Sequence, residues 1–153
     1  MVERIVVDFN WISNRLATGG FIISKEGLSL MKSNGITHII NCAADFDEQR
    51  LFTRDLSFEY LFVGVNDDFQ PKSVDWFKSI IDFGLSALSK PGSKVYCHCA
   101  AGINRGPSGA YAILRAQGFT KEIAELLIKK NRPIAGIAYK DSADIAITKL
   151  GYE

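Results

Sequence analysis

"VYCHCAAGINRGPS", residues 95–108, runs as an apolar strand that stops at His98 and Cys99, passes through small or uncharged residues and reaches Arg105 just before a helical pattern begins. A strand that turns through a tight loop into a helix N-terminus points several unpaired backbone N–H groups at one spot. That spot favours an anion. Ala100, Ala101 and Gly102 let the backbone curl without filling the hollow, Ile103 and Asn104 complete the turn, and Arg105 supplies a planar fork suited to two phosphate oxygens. The same positive surroundings should lower the Cys99 thiol, so a thiolate is expected there at neutral pH.

Outward from this stretch, apolar runs alternate with helical periodicity, the pattern of a parallel sheet covered by helices. "RIVVDF" and "RLATGG" read as short strands, "ITHIINC" and "KVYCHC" as central strands buried on both faces, and "FEYLFVGV" as a further strand. Helices are expected over "KEGLSLMKSNG", after Ser73, over "GPSGAYAILRAQG", after Thr120 and over "DSADIAITKL", with Ser73 and Thr120 as N-caps and Gly35 and Gly118 at stops. The fold class is α/β, with a central, mostly parallel sheet of about five strands flanked by helices. Residues 1–153 are expected to form one domain, and open α/β sheets bind ligands at the carboxyl ends of their strands, where Cys99 falls.

Eighteen basic and seventeen acidic residues leave a net charge of +1, so no global field recruits nucleic acid or an anionic membrane, and neither is expected as a partner. "MVERIVVDFN" has Glu3 and Asp8 inside its apolar residues, which argues against a secretory segment and for a cytoplasmic location. Three cysteines, Cys42, Cys97 and Cys99, suit a reducing compartment better than a disulfide framework. They lack the second ligand cluster of a zinc site, and neither metal nor cofactor is expected.

His98-Cys99, Gly102 and Arg105 resemble the signature of the cysteine-based protein tyrosine phosphatase superfamily. "GITHIINCAAD", "FVGVNDDFQPKSVDWFKSIIDF" and "AYAILRAQGFTKEIAELLIKKNRP" are similar to successive segments of its dual-specificity branch, and the likeness covers about residues 12–135. The resemblance implies a phosphomonoester hydrolase in which Cys99 is the nucleophile, Arg105 clamps phosphate and steadies the transition state, and His98 bonds the loop backbone. It implies a phosphorylated substrate, phosphoprotein first, with a glucan or small metabolite as the alternative, and a phosphate-binding pseudophosphatase as the rival.

A departing alkoxide needs a proton, and Asp67 and Asp68 follow the strand "LFVGV" on the expected edge. The resemblance selects Asp67, ten residues before Phe77, with Asp68 as the alternative. Asp45, Asp47 and Glu48 lie near the same edge without one standing out. Trp11 and Phe69 are candidates to line a shallow cleft, and His38 reads as a structural strand histidine. By the same likeness Cys42 is a candidate redox partner for Cys99, although a buried structural role is the commoner one for such a cysteine.

Two departures from the family pattern stand out. Gly106 occupies the place of a serine or threonine that assists breakdown of the phosphocysteine, and Ser108, two positions on, is expected to face elsewhere. The loop carries no lysine, which fits a single phosphate rather than a highly phosphorylated inositide.

Overall fold

The computed structural model describes residues 6–52 and 57–153. Its sheet contains β1 (Phe9–Trp11), β2 (Leu16–Gly19), β3 (His38–Ala43), β4 (Glu59–Val65) and β5 (Val95–His98), in the spatial order β1-β2-β5-β3-β4. The β1–β2 pair is antiparallel, whereas β2–β5, β5–β3 and β3–β4 are parallel. Parallel strands end on one edge, so the chain leaving β2, β3, β4 and β5 converges there. The expected α/β architecture is the one found.

Alternation along the strands sorts side chains to two faces. Ala17, Ile39 and Tyr96 join Val7, Ile22, Leu28 and Met31 in a core under α1 (Lys25–Ser33). Leu16, Ile40 and Cys97 point the other way. There they meet α3 (Val74–Leu88) and α4 (Arg105–Ala116), with α6 (Lys140–Lys149) packed on both helices and α5 (Lys121–Asn131) on α4. All six residues of β3 are buried, as its apolar, β-branched sequence requires of a central strand.

The helix boundaries follow local chemistry. Ser73 Oγ accepts from the Trp76 amide and Thr120 Oγ1 from the Ile123 amide, each satisfying an otherwise orphan donor. Gly35 (φ 83°) and Gly118 (φ 102°) leave their helices in the left-handed region. Trp76 Nε1 donates to Val63 O at 2.7 Å and so fixes α3 against β4.

Two elements differ from the sequence reading. The strand expected at "RIVVDF" falls partly outside the described residues, and the observed β1 starts only at Phe9. Pairing with β2 sets that start, because Phe9 lies opposite Gly19, and a Cβ there would come within 2.6 Å of Phe9 Cα. Val7 packs beneath α1 instead. A short helix, α2 (Gln49–Phe52), follows β3 where no helix was expected.

Among the described residues no helix is long and apolar enough to cross a membrane.

Candidate active site

Cys99 leaves the end of β5, its amide donating to Gly19 O at 3.1 Å. The six carbonyl oxygens that follow are each taken up by a group of the surrounding structure. His98 Nδ1 lies 3.2 Å from Cys99 O, and the Phe21 amide donates to Ala100 O. Arg132 donates through Nη2 to Ala101 O (3.2 Å) and through Nε to Gly102 O (2.7 Å). Ile103 O accepts from Gly136 and Ile137, and Asn104 O from Ser108 within the first turn of α4. With the carbonyls engaged by these neighbours, amides remain for the hollow, and those of Gly102 and Gly106 lie close enough to the Cys99 sulfur to favour its ionised form.

Glycine is required at two of these positions. Gly102 has φ 69°, and a Cβ there would sit 2.4 Å from the Gly19 carbonyl carbon. At Gly106 a Cβ would lie 2.7 Å from His98 Cα, so the first turn of α4 rests directly on the end of β5. The departure from serine or threonine therefore has a steric cause. Ser108 is buried and accepts the Tyr139 amide on its hydroxyl (3.1 Å).

Arg105 is nearly fully buried, and its Nη1 donates to Asp45 Oδ1 (2.7 Å) and Val65 O (2.8 Å). Its Nε is one of two buried side-chain polar atoms without a partner among the described residues. Cys99 and Asp67 both lie close enough to favour its charge. Asp45, in turn, is held below the usual carboxylate range by the guanidinium.

The expectation of a Cys99 thiolate at neutral pH needs correction for the free protein. Burial pushes the thiol up, and the downward pull of the Gly106 amide, the Gly102 amide and Arg105 does not cancel it; the neighbouring Cys42 adds to the rise. The loop reduces the cost of ionising the sulfur without abolishing it.

His98 is fully buried. Its Nε2 lies 2.8 Å from Glu48 Oε1, and its ring stacks on Tyr96 with centroids 4.8 Å apart. Glu48, also fully buried, accepts the Ile22 amide at 2.7 Å on its other oxygen. One carboxylate thus ties the histidine before Cys99 to the segment following β2.

The two candidate acids part ways. Asp68 accepts from Lys72 Nζ at 2.6 Å, which holds its carboxyl below the ordinary range. Asp67 Oδ1 accepts from the Tyr139 hydroxyl at 2.7 Å and faces Arg105. Phe69 is 71% exposed beside them, whereas Trp11 lies near the opposite end of β5, its ring under Lys94 Nζ at 5.5 Å, and does not join the cleft.

Cys42 Sγ lies 3.8 Å from Cys97 Sγ in the buried core under α4, where Gly109 leaves room for both sulfurs. Burial pushes its thiol well up. His38 sits at the far end of β3 between Thr37 and Glu59.

Sequence reasoning missed Arg132 and Tyr139 and could not single out Asp45 or Glu48. The only local signal among them was Arg132, a cation at the end of a helix before proline.

The family model described as "Dual specificity phosphatase, catalytic domain" matches residues 20–139. The human "Dual specificity protein phosphatase 16" is 31% identical over 118 residues, covering 73% of this chain and 16% of that protein. The chain therefore spans a small part of that relative's length. Among solved structures, a mouse putative dual specificity phosphatase complexed with zinc tungstate aligns with TM-score 0.77 at 19% identity, covering 98% of this chain and 92% of its own. The human tyrosine phosphatase-like serine/threonine/tyrosine-interacting protein aligns with TM-score 0.76 at 22% identity, covering 94% and 97%. These two establish likeness of fold. The family match identifies the chain as a member of the dual specificity phosphatase family, the matched residues including the Cys99–Arg105 loop.

Proposed function

We propose that this chain hydrolyses phosphomonoesters through a phosphocysteine, with phosphoproteins as the first substrate class and glucan or small-metabolite esters as the alternative. The observation that carries the reading is the loop itself. Its carbonyls are engaged by neighbouring groups, its Gly102 and Gly106 amides lie close enough to the Cys99 sulfur to favour its ionised form, and the buried Arg105 Nε has no partner among the described residues. A tetrahedral oxyanion supplies the acceptors such donors lack.

In this mechanism the Cys99 thiol first loses its proton to solvent, the thiolate attacks phosphorus, the P–O bond to the leaving alcohol breaks, and Asp67 gives that oxygen its proton. Asp67, now ionised, takes a proton from the water that attacks the phosphocysteine, releasing phosphate and restoring the thiolate. The loop amides and Arg105 balance the phosphoryl charge throughout. Asp68 is the poorer donor because Lys72 favours its ionised form. The uncharged side chains at Ala100, Ala101, Ile103 and Asn104 suit one phosphoryl group. A cytoplasmic location accords with the sparse cysteines.

The test is turnover of a small aryl phosphate from pH 5 to 7 by wild type and Cys99→Ser. Turnover by wild type alone is expected. Oxyanion binding by both proteins without turnover by either would make the chain a phosphate-binding module, a reading that Gly106 favours.

A further inference from the structure

Tyr139 stands 72 residues from Asp67 and 31 from Ser108 in sequence, yet it touches both. Its hydroxyl makes two bonds at once, donating to Asp67 Oδ1 at 2.7 Å and accepting the Phe69 amide at 3.1 Å. These two contacts bracket Asp68. Phe69 occupies the left-handed region (φ 59°), a conformation that costs a bulky residue about 1–3 kcal/mol and persists only where its surroundings impose it. Here the imposing group is the same phenol that meets the acid. At its other end, the Tyr139 amide donates to Ser108 Oγ in α4, the helix whose first turn carries Arg105 and Gly106.

The ring is held on its own account. Lys72 Nζ lies 4.8 Å from its centroid, and the Phe69 ring packs 6.5 Å away. Burial, followed by the bond to Asp67, pushes the phenol up to about 12, so the donor keeps its proton across the working pH range. The result is a continuous connection from the phosphate loop through Ser108 and Tyr139 to Asp67.

From this geometry we infer that Tyr139 is a positioning residue for proton transfer, fixing the Asp67 carboxyl and the Phe69 turn relative to the phosphate-binding helix. The inference rests on Asp67 as the general acid. A carboxyl on an exposed loop samples many orientations, and one fixed hydroxyl bonded on both sides of the turn removes most of them. The substrate class that gains is the ester with a poor leaving group, because only such an alcohol needs its proton in the transition state.

Tyr139→Phe retains the ring and removes both bonds. It is measured beside Asp67→Asn on aryl and alkyl phosphates graded by the acidity of the leaving alcohol, with thermal melting as the check on folding. For Tyr139→Phe the expected loss in kcat/KM, which reports the step that expels the alcohol, is about tenfold greater on the poorest leaving group than on the most activated ester, part of the roughly 10²–10⁴-fold a general acid supplies. Asp67→Asn should show a larger loss of the same pattern, and the double variant should match Asp67→Asn alone. A uniform loss across the series for Tyr139→Phe, with the graded loss retained in Asp67→Asn, overturns the positioning role. A series in which Asp67→Asn shows no grading removes Asp67 as the acid, and the role of Tyr139 with it. Should Tyr139→Phe fail to fold, ultraviolet titration of Asp67→Asn decides the contact. Tyr139 is expected to ionise at lower pH than in wild type, and an unchanged titration curve overturns the proposal.

Discussion

Asp45 Oδ1 accepts from Arg105 Nη1 at 2.7 Å, and with this bond and the one to Val65 O in place the buried Nε of the guanidinium has no partner among the described residues. Asp45 thus orients the proposed phosphate clamp, Arg105, from outside the loop. Its carboxylate is about half exposed, so the pair contributes little to stability and its effect should appear in binding. Asp45→Asn is expected to weaken tungstate or vanadate binding by about three- to tenfold, the range for one charge-assisted bond in a partly solvated pair. Isothermal titration checks this, and unchanged affinity would count against it.

The same pair predicts a pH dependence. Arg105 lowers the Asp45 carboxyl in the folded state, so its contribution is fully present above the unfolded carboxylate value and is lost only as pH falls through the lower folded value. Between pH 5 and 7 the pair does not titrate. The ratio of wild-type to Asp45→Asn affinity should therefore stay flat over that window, and a ratio that collapses near pH 5 would contradict it.

Alkylation of Cys99 by iodoacetamide, followed against pH, reads the balance around the sulfur. Arg105 pulls the thiol down, so Arg105→Met should move the alkylation midpoint to higher pH. Cys42 pushes it up, so Cys42→Ala should move it lower. Movement of either variant in the opposite direction would refute this account of the site.

His98 and Glu48 form a fully buried pair, and removing one partner of such a pair typically costs about 3–5 kcal/mol because the other is left uncompensated. Glu48→Ala also strips the Ile22 amide of its acceptor. Chemical denaturation should show a loss of that size. A loss below about 1 kcal/mol would mean that water replaces the carboxylate, against the burial seen here.

Gly106→Ser restores the hydroxyl position usual in the family, yet its Cβ would press on the His98 backbone at 2.7 Å. It is expected to lower stability by about 1–3 kcal/mol, as overpacking does, and not to accelerate release of phosphate from the phosphocysteine. With glycine there, the second chemical step should be slow in wild type. Rapid mixing should show a burst of alcohol before steady turnover. A linear trace, or a faster steady state in Gly106→Ser, would overturn this expectation.

The strand, loop and helix around Cys99 were legible because their signals are local. Alternating apolar residues, the caps at Ser73 and Thr120 and the stops at Gly35 and Gly118 act within a few residues of themselves. What stayed hidden depends on distance along the chain. Glu48 meets His98 across 50 residues, Arg132 meets Gly102 across 30 and Asp45 meets Arg105 across 60. A charged side chain in a loop looks solvated in one dimension, and only the converging strand ends reveal that Glu48 is enclosed and Arg132 is 1% exposed. The start of β1 was misplaced for a related reason, since the close approach of Phe9 to Gly19, rather than the valines before it, sets where pairing begins.

Arg132 has a consequence for ligand binding beyond its contacts. Bonded to Asp8 and Asn10 on one side and to the carbonyls of Ala101 and Gly102 on the other, it sets those peptide planes before any ester arrives. The receptor is preorganised, so the entropy of ordering the loop is settled during folding, and capture of an oxyanion needs little rearrangement of the polypeptide.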